Sequence, residues 1–424
     1  MTSRVGELEE SFRLRARAWL SENMPRQSQE SDWIADDTER WQNARDLQRK
    51  LFDAGFAGVC FPKAYGGQGL TPAHQRVLDE ETLGYQMPTL LNVPTFGIIG
   101  ATLLDFGSEA QKKRYLPAML RGDEVWVQFL SEPTGGSDLA AVMTRATPTP
   151  DADAFLLSGS KIWSSGAYAA DYAICVARTD WDVPKHQGIT VFIVKVQQPG
   201  LTIERIRGVA GGDEFCQEFF DDVRIPAENV VGERGQGWSV VHGLLAHERN
   251  SMGRASPYVS GQRSAPGQGR GSDLVELLRA CGVAGDPRLR QLVAEVHVLS
   301  QVMDQTAERV TAGMVSGLYS ASAGALLRLM GARNGVRGAD VALEIAGSGA
   351  AAWSAGDASG QAGVRFLNRQ GSELGGGSSE IQRNIISERV LGMPREYAAD
   401  RDVPFSQVRR NSMPSRGGGR GAAE

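Results

Sequence analysis

Residues 125–138 read VWVQFL and then, without a break, SEPTGGSD, and at this point the chain changes character. The hexapeptide is β-branched and aromatic, and the octapeptide supplies Pro, two glycines and Asp. That is the pattern of a strand leaving into a loop. Similar short runs follow: FLLSG (155–159), DYAICVAR (171–178), GITVFIVKV (188–196), LTIERI (201–206) and CQEFF (216–220). Turn signals such as QQPG separate them, so residues 125–232 are predicted to be all β.

On either side of this block the period is helical. Val5, Leu8, Phe12, Ala16, Trp19 and Leu20 recur at helical spacing, and Glu39–Ala54, Pro72–Leu83 and Thr95–Leu104 continue the pattern. SEAQKKRYLPAML (108–120) opens on a Ser cap. After residue 232 come WSVVHGLLAHERNSM, LVELLRAC, LRQLVAEVHVLSQVMDQTAERV, LLRLMGARN and SSEIQRNIISERVLG. The spacing predicts an α+β chain with helical residues 1–124, β residues 125–232 and helical residues 233–398. The Gly/Ser/Arg-rich stretch 253–273 reads as a loop and the Arg/Gly-rich 399–424 as a disordered tail.

Composition narrows the function. Among 424 residues, Lys and Arg total 45 and Asp and Glu total 50, a net charge of −5, which argues against nucleic acid as the main ligand. Hydrophobic residues at 41% and charged residues at 22% are those of a globular protein. No uninterrupted run of 18 apolar residues occurs, so no membrane span is expected. The N-terminus is amphipathic and lacks the apolar core of a signal peptide. Cys60, Cys175, Cys216 and Cys281 are irregularly spaced, and HERNS (247–251) fails the H-E-x-x-H pattern. The expectation is a cytoplasmic protein with no metal. Glycine is in excess: 51 residues, about one in eight against roughly 7% in average proteins.

Four segments could carry chemistry. In SEPTGGSD, Gly135 and Gly136 allow close backbone approach to a ligand, although a plain turn has the same signature. In GSKIWSSGAYAADY, Trp163 beside Ser164 and Ser165 could cover an aromatic cofactor, or be a core residue. In the helix beginning at Trp238, Val241, Leu244, Leu245, Glu248 and Met252 share one face. A carboxylate on that stripe is costly unless it is paired or functional, and burial would raise its pKa toward that of a general base. A structural ion pair with Arg249 is the alternative. In ELGGGSSEIQ, three glycines precede Ser378 and Ser379, which makes either an anion site or a capped helix start. GSGAAA (347–352) follows a helical stretch, so it is no Rossmann turn.

Taken in order, FPKAYGGQGL, FGSEAQKKRYLPAML, QFLSEPTGGSDLA, GSKIWSSGA, DDVRIPAENVVGERGQGW, LLAHER and GGGSSEIQRNIISERVLGMPRE resemble the acyl-CoA dehydrogenase family from about residue 5 to 397. The resemblance implies an N-terminal helical domain, a middle β-barrel and a C-terminal four-helix bundle. It implies one FAD per subunit, an acyl-CoA substrate, an electron-transfer flavoprotein as redox partner and a homotetramer or a hetero-oligomer with a paralogue. Residue by residue, it implies flavin contacts at Gln128, Phe129, Leu130, Ser131, Gly136, Ser137, Trp163, Ser164 and Ser165. Ser378 and Glu380 correspond to the loop on the dinucleotide. Glu344, Gly347 and Ser348 correspond to a stretch reaching a partner subunit's FAD, where the family's usual Gln and Gly-Gly are replaced. Ser137, Arg249 and Gly376 fall at substrate-side positions. Many relatives keep their base at the position of Gly376; isovaleryl- and long-chain-type members carry it at the position of Glu248. The implied reaction is α,β-dehydrogenation of an acyl-CoA to a trans-2-enoyl-CoA. An acyl-CoA oxidase, a flavin-dependent N-hydroxylase and a non-catalytic subunit are the alternatives on the same fold.

Overall fold

The structure, a computed structural model, describes residues 7–26, 37–252, 256–261, 270–353 and 357–408. Its first part comprises α1 (Glu9–Asn23), α2 (Asp37–Asp53), α3 (Pro72–Glu81), α4 (Thr89–Asn92), α5 (Ala101–Phe106) and α6 (Glu109–Arg121). Ser108 caps α6 as its sequence predicts, with its hydroxyl accepting from Gln111 N and the Gln111 side chain accepting in return. A π-helical stretch, Val93–Gly100, joins α4 to α5, so that Thr89–Phe106 is one helical run of 18 residues. By length and composition alone this run could cross a membrane, with mean hydropathy 1.4 although it contains Asn92 and Asp105. Most of it is buried inside the protein. Phe96, Ile98, Ile99 and Leu103 belong to the same apolar cluster as Leu116, Trp126, Phe129 and Leu244, which makes it a core helix.

The β part is one eight-stranded sheet: β1 (Trp126–Phe129), β2 (Arg145–Pro148), β3 (Ala154–Ser165), β4 (Tyr172–Arg178), β5 (Ile189–Lys195), β6 (Leu201–Ile206), β7 (Phe215–Pro226) and β8 (Val230–Val231). The order is β6-β7-β3-β2-β4-β5-β8, with β1 joined to β4. Each of the six predicted runs lies on a strand. The sequence does not show β2 and β8, because RATP and VV are too short for a period to declare itself. β4 and β5 are buried along nearly their whole length and therefore read as continuous apolar runs.

Inside the sheet lies a polar cluster. Lys161 is fully buried, and its Nζ donates to Glu132 Oε1 at 2.9 Å and to the Leu130 carbonyl at 3.1 Å. Burial alone would raise the Glu132 carboxyl. Lys161, the Thr144 hydroxyl and the Met143 N–H instead hold it below the ordinary carboxylate range. Among the described residues the Glu218 carboxyl accepts from Ser164 Oγ at 3.0 Å, and burial pushes it up to about 7. A carboxyl raised in the folded state stabilises below its unfolded pKa of about 4.3, and that contribution is lost as pH rises through about 7. Glu218→Gln removes the titration. Its stability relative to wild type should therefore improve by about 2–3 kcal/mol between pH 5 and pH 8. Melting curves of the two proteins that run parallel across this range would overturn the assignment.

The third part holds α7 (Gly237–Met252), α8 (Arg270–Ala280), α9 (Pro287–Val315), α10 (Gly324–Ala346), α11 (Ala358–Asn368), α12 (Gly371–Leu374) and α13 (Ser379–Ile385). Two loop expectations are corrected. Residues 270–273 are not loop but the start of α8, and Val259 is buried. The tail reading of 399–424 fails for its first ten residues. Phe405 is 1% exposed beneath the Arg178 guanidinium, 3.5 Å from ring centroid to Cζ, and its N–H donates to the Val183 carbonyl. Lys185 Nζ bridges Asp400 and Asp138 at 2.8 Å each. One aromatic residue in a Gly/Arg-rich segment is too sparse for a period, yet it docks by burial and a cation–π contact. The remainder of that tail lies outside the described residues.

Candidate active site

Helix α7 sets the site. Val240, Val241 and Leu244 are buried against the core, and Glu248, one turn beyond Leu244, is carried to the helix edge facing β1. Met252, predicted on the same stripe, is exposed. The neutral side chain of Gln128 donates from Nε2 to Glu248 Oε2 at 3.2 Å. Burial raises the Glu248 carboxyl above its ordinary value, opposed by the Gln128 hydrogen bond and by the charges of Arg249 and Arg328. The predicted alternative, a Glu248–Arg249 ion pair, does not form among the described residues. Arg249 lies beside the carboxylate without bonding it, and burial lowers its pKa.

The glycine loop before α13 closes the other side. Gly376 has φ +69°, in the left-handed region where glycine is favoured. A Cβ built there would stand 3.4 Å from Glu248 Oε1 and 3.1 Å from Arg328 Nε. The Glu248 carboxylate thus borders the point where a side chain at position 376 would begin. Gln382, almost fully buried, donates to the carbonyls of Gly376 and Gly377 at 3.1 Å each. No hydrogen bond is made by the Gly376 N–H among the described residues. Sequence reasoning misses both Gln382 and Arg328. Gln382 lies inside the quoted SSEIQ motif, but nothing in the sequence marks Arg328.

The strand face of the site is sorted by a bulge. The β3–β7 pairing shifts register between Ile162 and Ser164, leaving Trp163 unpaired at φ +68° and 57% exposed, edge-on to Phe215. Ser165 is exposed beside it, and Ser164 turns inward to Glu218. The expected flavin contact of Ser164 is therefore corrected: strand alternation spends its hydroxyl in the interior. Phe129 is corrected likewise, because the residue is wholly buried, with its ring packed against Phe220. Leu130 and Ser131 are half-buried. Ser131 ties the loop to β3 through its carbonyl, which accepts from Ile162 N. The Ser131 hydroxyl packs where a Cβ on Gly136 would lie, 3.3 Å away, and Ser137 is exposed.

The remaining candidates stand apart from Glu248. Ser378 caps α13, accepting from Ile381 N at 3.4 Å, and Glu380 is exposed and paired with Arg383. Glu344 pairs with Arg288 at 2.5 Å, while Gly347 and Ser348 end α10. None of these five bonds Gln128, Trp163 or Glu248 among the described residues. Arg254 and Arg263, both within the Gly/Ser/Arg-rich stretch 253–273, lie outside the described residues.

A half-buried carboxylate with a raised pKa, an uncommitted N–H beside it and an open strand face bearing an exposed Trp form an enzyme site suited to taking a proton from a carbon acid. Family models support the same class. The acyl-CoA dehydrogenase N-terminal domain matches residues 6–123, the middle domain 128–223 and the C-terminal domain 276–391. The acyl-CoA dehydrogenase IpdE1 of Mycolicibacterium smegmatis is 32% identical over 405 residues, covering 91% of this chain and 98% of that protein. The mitochondrial isovaleryl-CoA dehydrogenase of Pongo abelii is 29% identical over 249 residues, 58% of this chain and 57% of that one. A solved structure titled Tcur3481-Tcur3483 steroid ACAD superposes with a TM-score of 0.72 at 27% identity, covering 93% of this chain and 100% of that chain. The chain belongs to the acyl-CoA dehydrogenase family.

Proposed function

We propose that this chain is an FAD-dependent dehydrogenase of acyl-CoA thioesters, with Glu248 as the base that removes the α-proton. The observation that carries the reading is the shared space at Gly376: the Glu248 carboxylate borders the site where a side chain at 376 would begin. The open face formed by Gln128, Leu130, Ser131, Gly136, Ser137, Trp163 and Ser165 fits a flat ring with hydrogen-bonding edges, the chemistry of a flavin. Ser378 and Glu380 would lie toward its dinucleotide end, and Glu344, Gly347 and Ser348 toward that of a neighbouring subunit. FAD, when bound, supplies the acceptor for the β-hydride. Glu248 takes the α-proton, and the Gly376 N–H holds the thioester oxygen as charge develops on it. Arg249 and Ser137 line the substrate side. An electron-transfer flavoprotein is the proposed redox partner. A homotetramer or a hetero-oligomer is the proposed assembly, the latter supported by the solved ChsE4-ChsE5 complex of the same fold.

A base on α7 and a glycine at 376 suit a bulky acyl group, and the steroid enzyme named above supports a polycyclic one. The deciding experiment is anaerobic bleaching of the purified protein by a panel of straight, branched and steroid side-chain acyl-CoAs, with an artificial acceptor for turnover. Bleaching by none of them would sink the reading. Rapid peroxide formation in air would favour the oxidase alternative.

Gly376→Glu tests the shared space. It sets a side chain at a left-handed φ, costing about 1–2 kcal/mol, and brings a second carboxylate against Glu248, so that one of the two becomes hard to ionise. Turnover should fall by at least about tenfold. Undiminished turnover would show that the two base positions coexist.

A further inference from the structure

Arg328 lies at the start of the second turn of α10. Its guanidinium donates to the Ser372 carbonyl at 2.8 Å and, through both Nε and Nη2, to the Gly375 carbonyl. Gln382 takes the next two carbonyls, those of Gly376 and Gly377. The carbonyls on both flanks of the loop are thus committed to side-chain donors, and the Gly376 N–H is left without a partner among the described residues.

An arginine that only clamped a loop would need no carboxylate nearby. Arg328 Nε nevertheless stands 3.1 Å from the point a Cβ on Gly376 would take, and Glu248 Oε1 stands 3.4 Å from the same point. Within 4 Å no ion pair closes between them among the described residues, and Glu248 Oε2 takes the Gln128 amide instead. A closed ion pair would suppress a base by making its proton affinity too low. A cation held close but bonded elsewhere offsets burial without consuming the lone pairs. When the proton moves to Glu248, negative charge leaves the carboxylate for the thioester oxygen beside Gly376, and the same cation faces both positions.

We propose that Arg328 is a positioning residue for Glu248: it fixes the 372–376 loop by its carbonyls and holds a positive charge opposite the carboxylate without pairing with it. This rests on the reading of Glu248 as the base. The other charged groups nearby are Arg249 on α7, Glu373 beside Arg328, and His247, which precedes Glu248 and pairs with Asp105 of α5; His242, one to two turns back on α7, feels Arg249 and Arg389 of the 386–390 stretch. Of these, Arg249 joins Arg328 in opposing the effect of burial on Glu248.

The test compares wild type with Arg328→Met, Arg328→Lys and Glu248→Gln. Infrared titration of the purified proteins follows the protonated-carboxyl band that Glu248→Gln lacks. In Arg328→Met this band should titrate at higher pH than in wild type, and Arg328→Lys should bring it back. Turnover of Arg328→Met should fall about tenfold on the acid side of the pH profile, the loss expected when an opposite charge is removed from a base. On the alkaline side a smaller, pH-independent loss remains from the loosened loop, which Lys does not repair. A band in Arg328→Met that superimposes on wild type overturns the inference. A band that moves while the acid limb of turnover stays fixed upholds the Arg328–Glu248 coupling and overturns Glu248 as the base.

Discussion

Glu248→Gln is expected to purify yellow, with FAD bound, and to lose acyl-CoA-dependent bleaching by about 10²–10⁴-fold, the range a positioned general base contributes. The substitution keeps length and volume, so α7 and its packing against the core should survive. The amide can still meet Gln128, which rotates to offer its oxygen. What is lost is the carboxylate lone pair that the proposed mechanism uses to accept the α-proton. The carboxylate stays useful because its environment is divided. Burial raises its proton affinity, while Gln128, Arg249 and Arg328 limit the rise. Because the raised carboxyl must be ionised to act, turnover of wild type should fall on the acid side and level off as pH rises. Stopped-flow bleaching of the flavin band checks both points. Bleaching in Glu248→Gln at near wild-type rate would remove this residue from the chemistry.

Glu248 was legible in sequence for a physical reason. A charge at helical spacing among Val241, Leu244 and Leu245 contradicts the face it sits on, and such contradictions mark pairs or sites. The helical–β–helical order was legible because two periods, 3.6 and 2, alternate along the chain in long blocks. Other features depend on geometry that no period carries. The bulge at Trp163 decides which of two adjacent serines faces outward. Sequence spacing treats Ser164 and Ser165 alike, and the register shift in β3 separates them. Arg328 lies on a helix 80 residues after Glu248, and only the fold of the glycine loop brings them to one point. Phe405 illustrates the opposite failure, since composition alone hid an anchored segment inside an Arg/Gly-rich end.

Lys161→Met should be the most damaging change for stability, at about 3–5 kcal/mol, the cost of breaking a buried pair by removing one partner. Both side chains are almost wholly buried, so solvent does not screen the loss. Glu132 would keep the N–H groups of Met143 and Thr144 and the Thr144 hydroxyl, but no cation. In wild type its carboxyl is held low, so its contribution is present above the unfolded pKa and is lost as pH falls through the folded value. Without Lys161 the carboxyl rises, and the penalty is greatest at neutral pH and shrinks in acid as Glu132 takes up a proton. Adding Glu132→Gln removes the stranded charge, so the double variant should recover most of the loss. Urea unfolding at pH 7 and pH 5 reads all of this. A loss under about 1 kcal/mol, or a double variant no more stable than the single, would show that the pair is not what holds this interior together. Lys161 also donates to the Leu130 carbonyl, two residues beyond Gln128. If the pair fixes that strand end, the double variant should fold well yet turn over more slowly than wild type. In that case the buried cation steadies the Gln128 amide on Glu248 through the backbone between them.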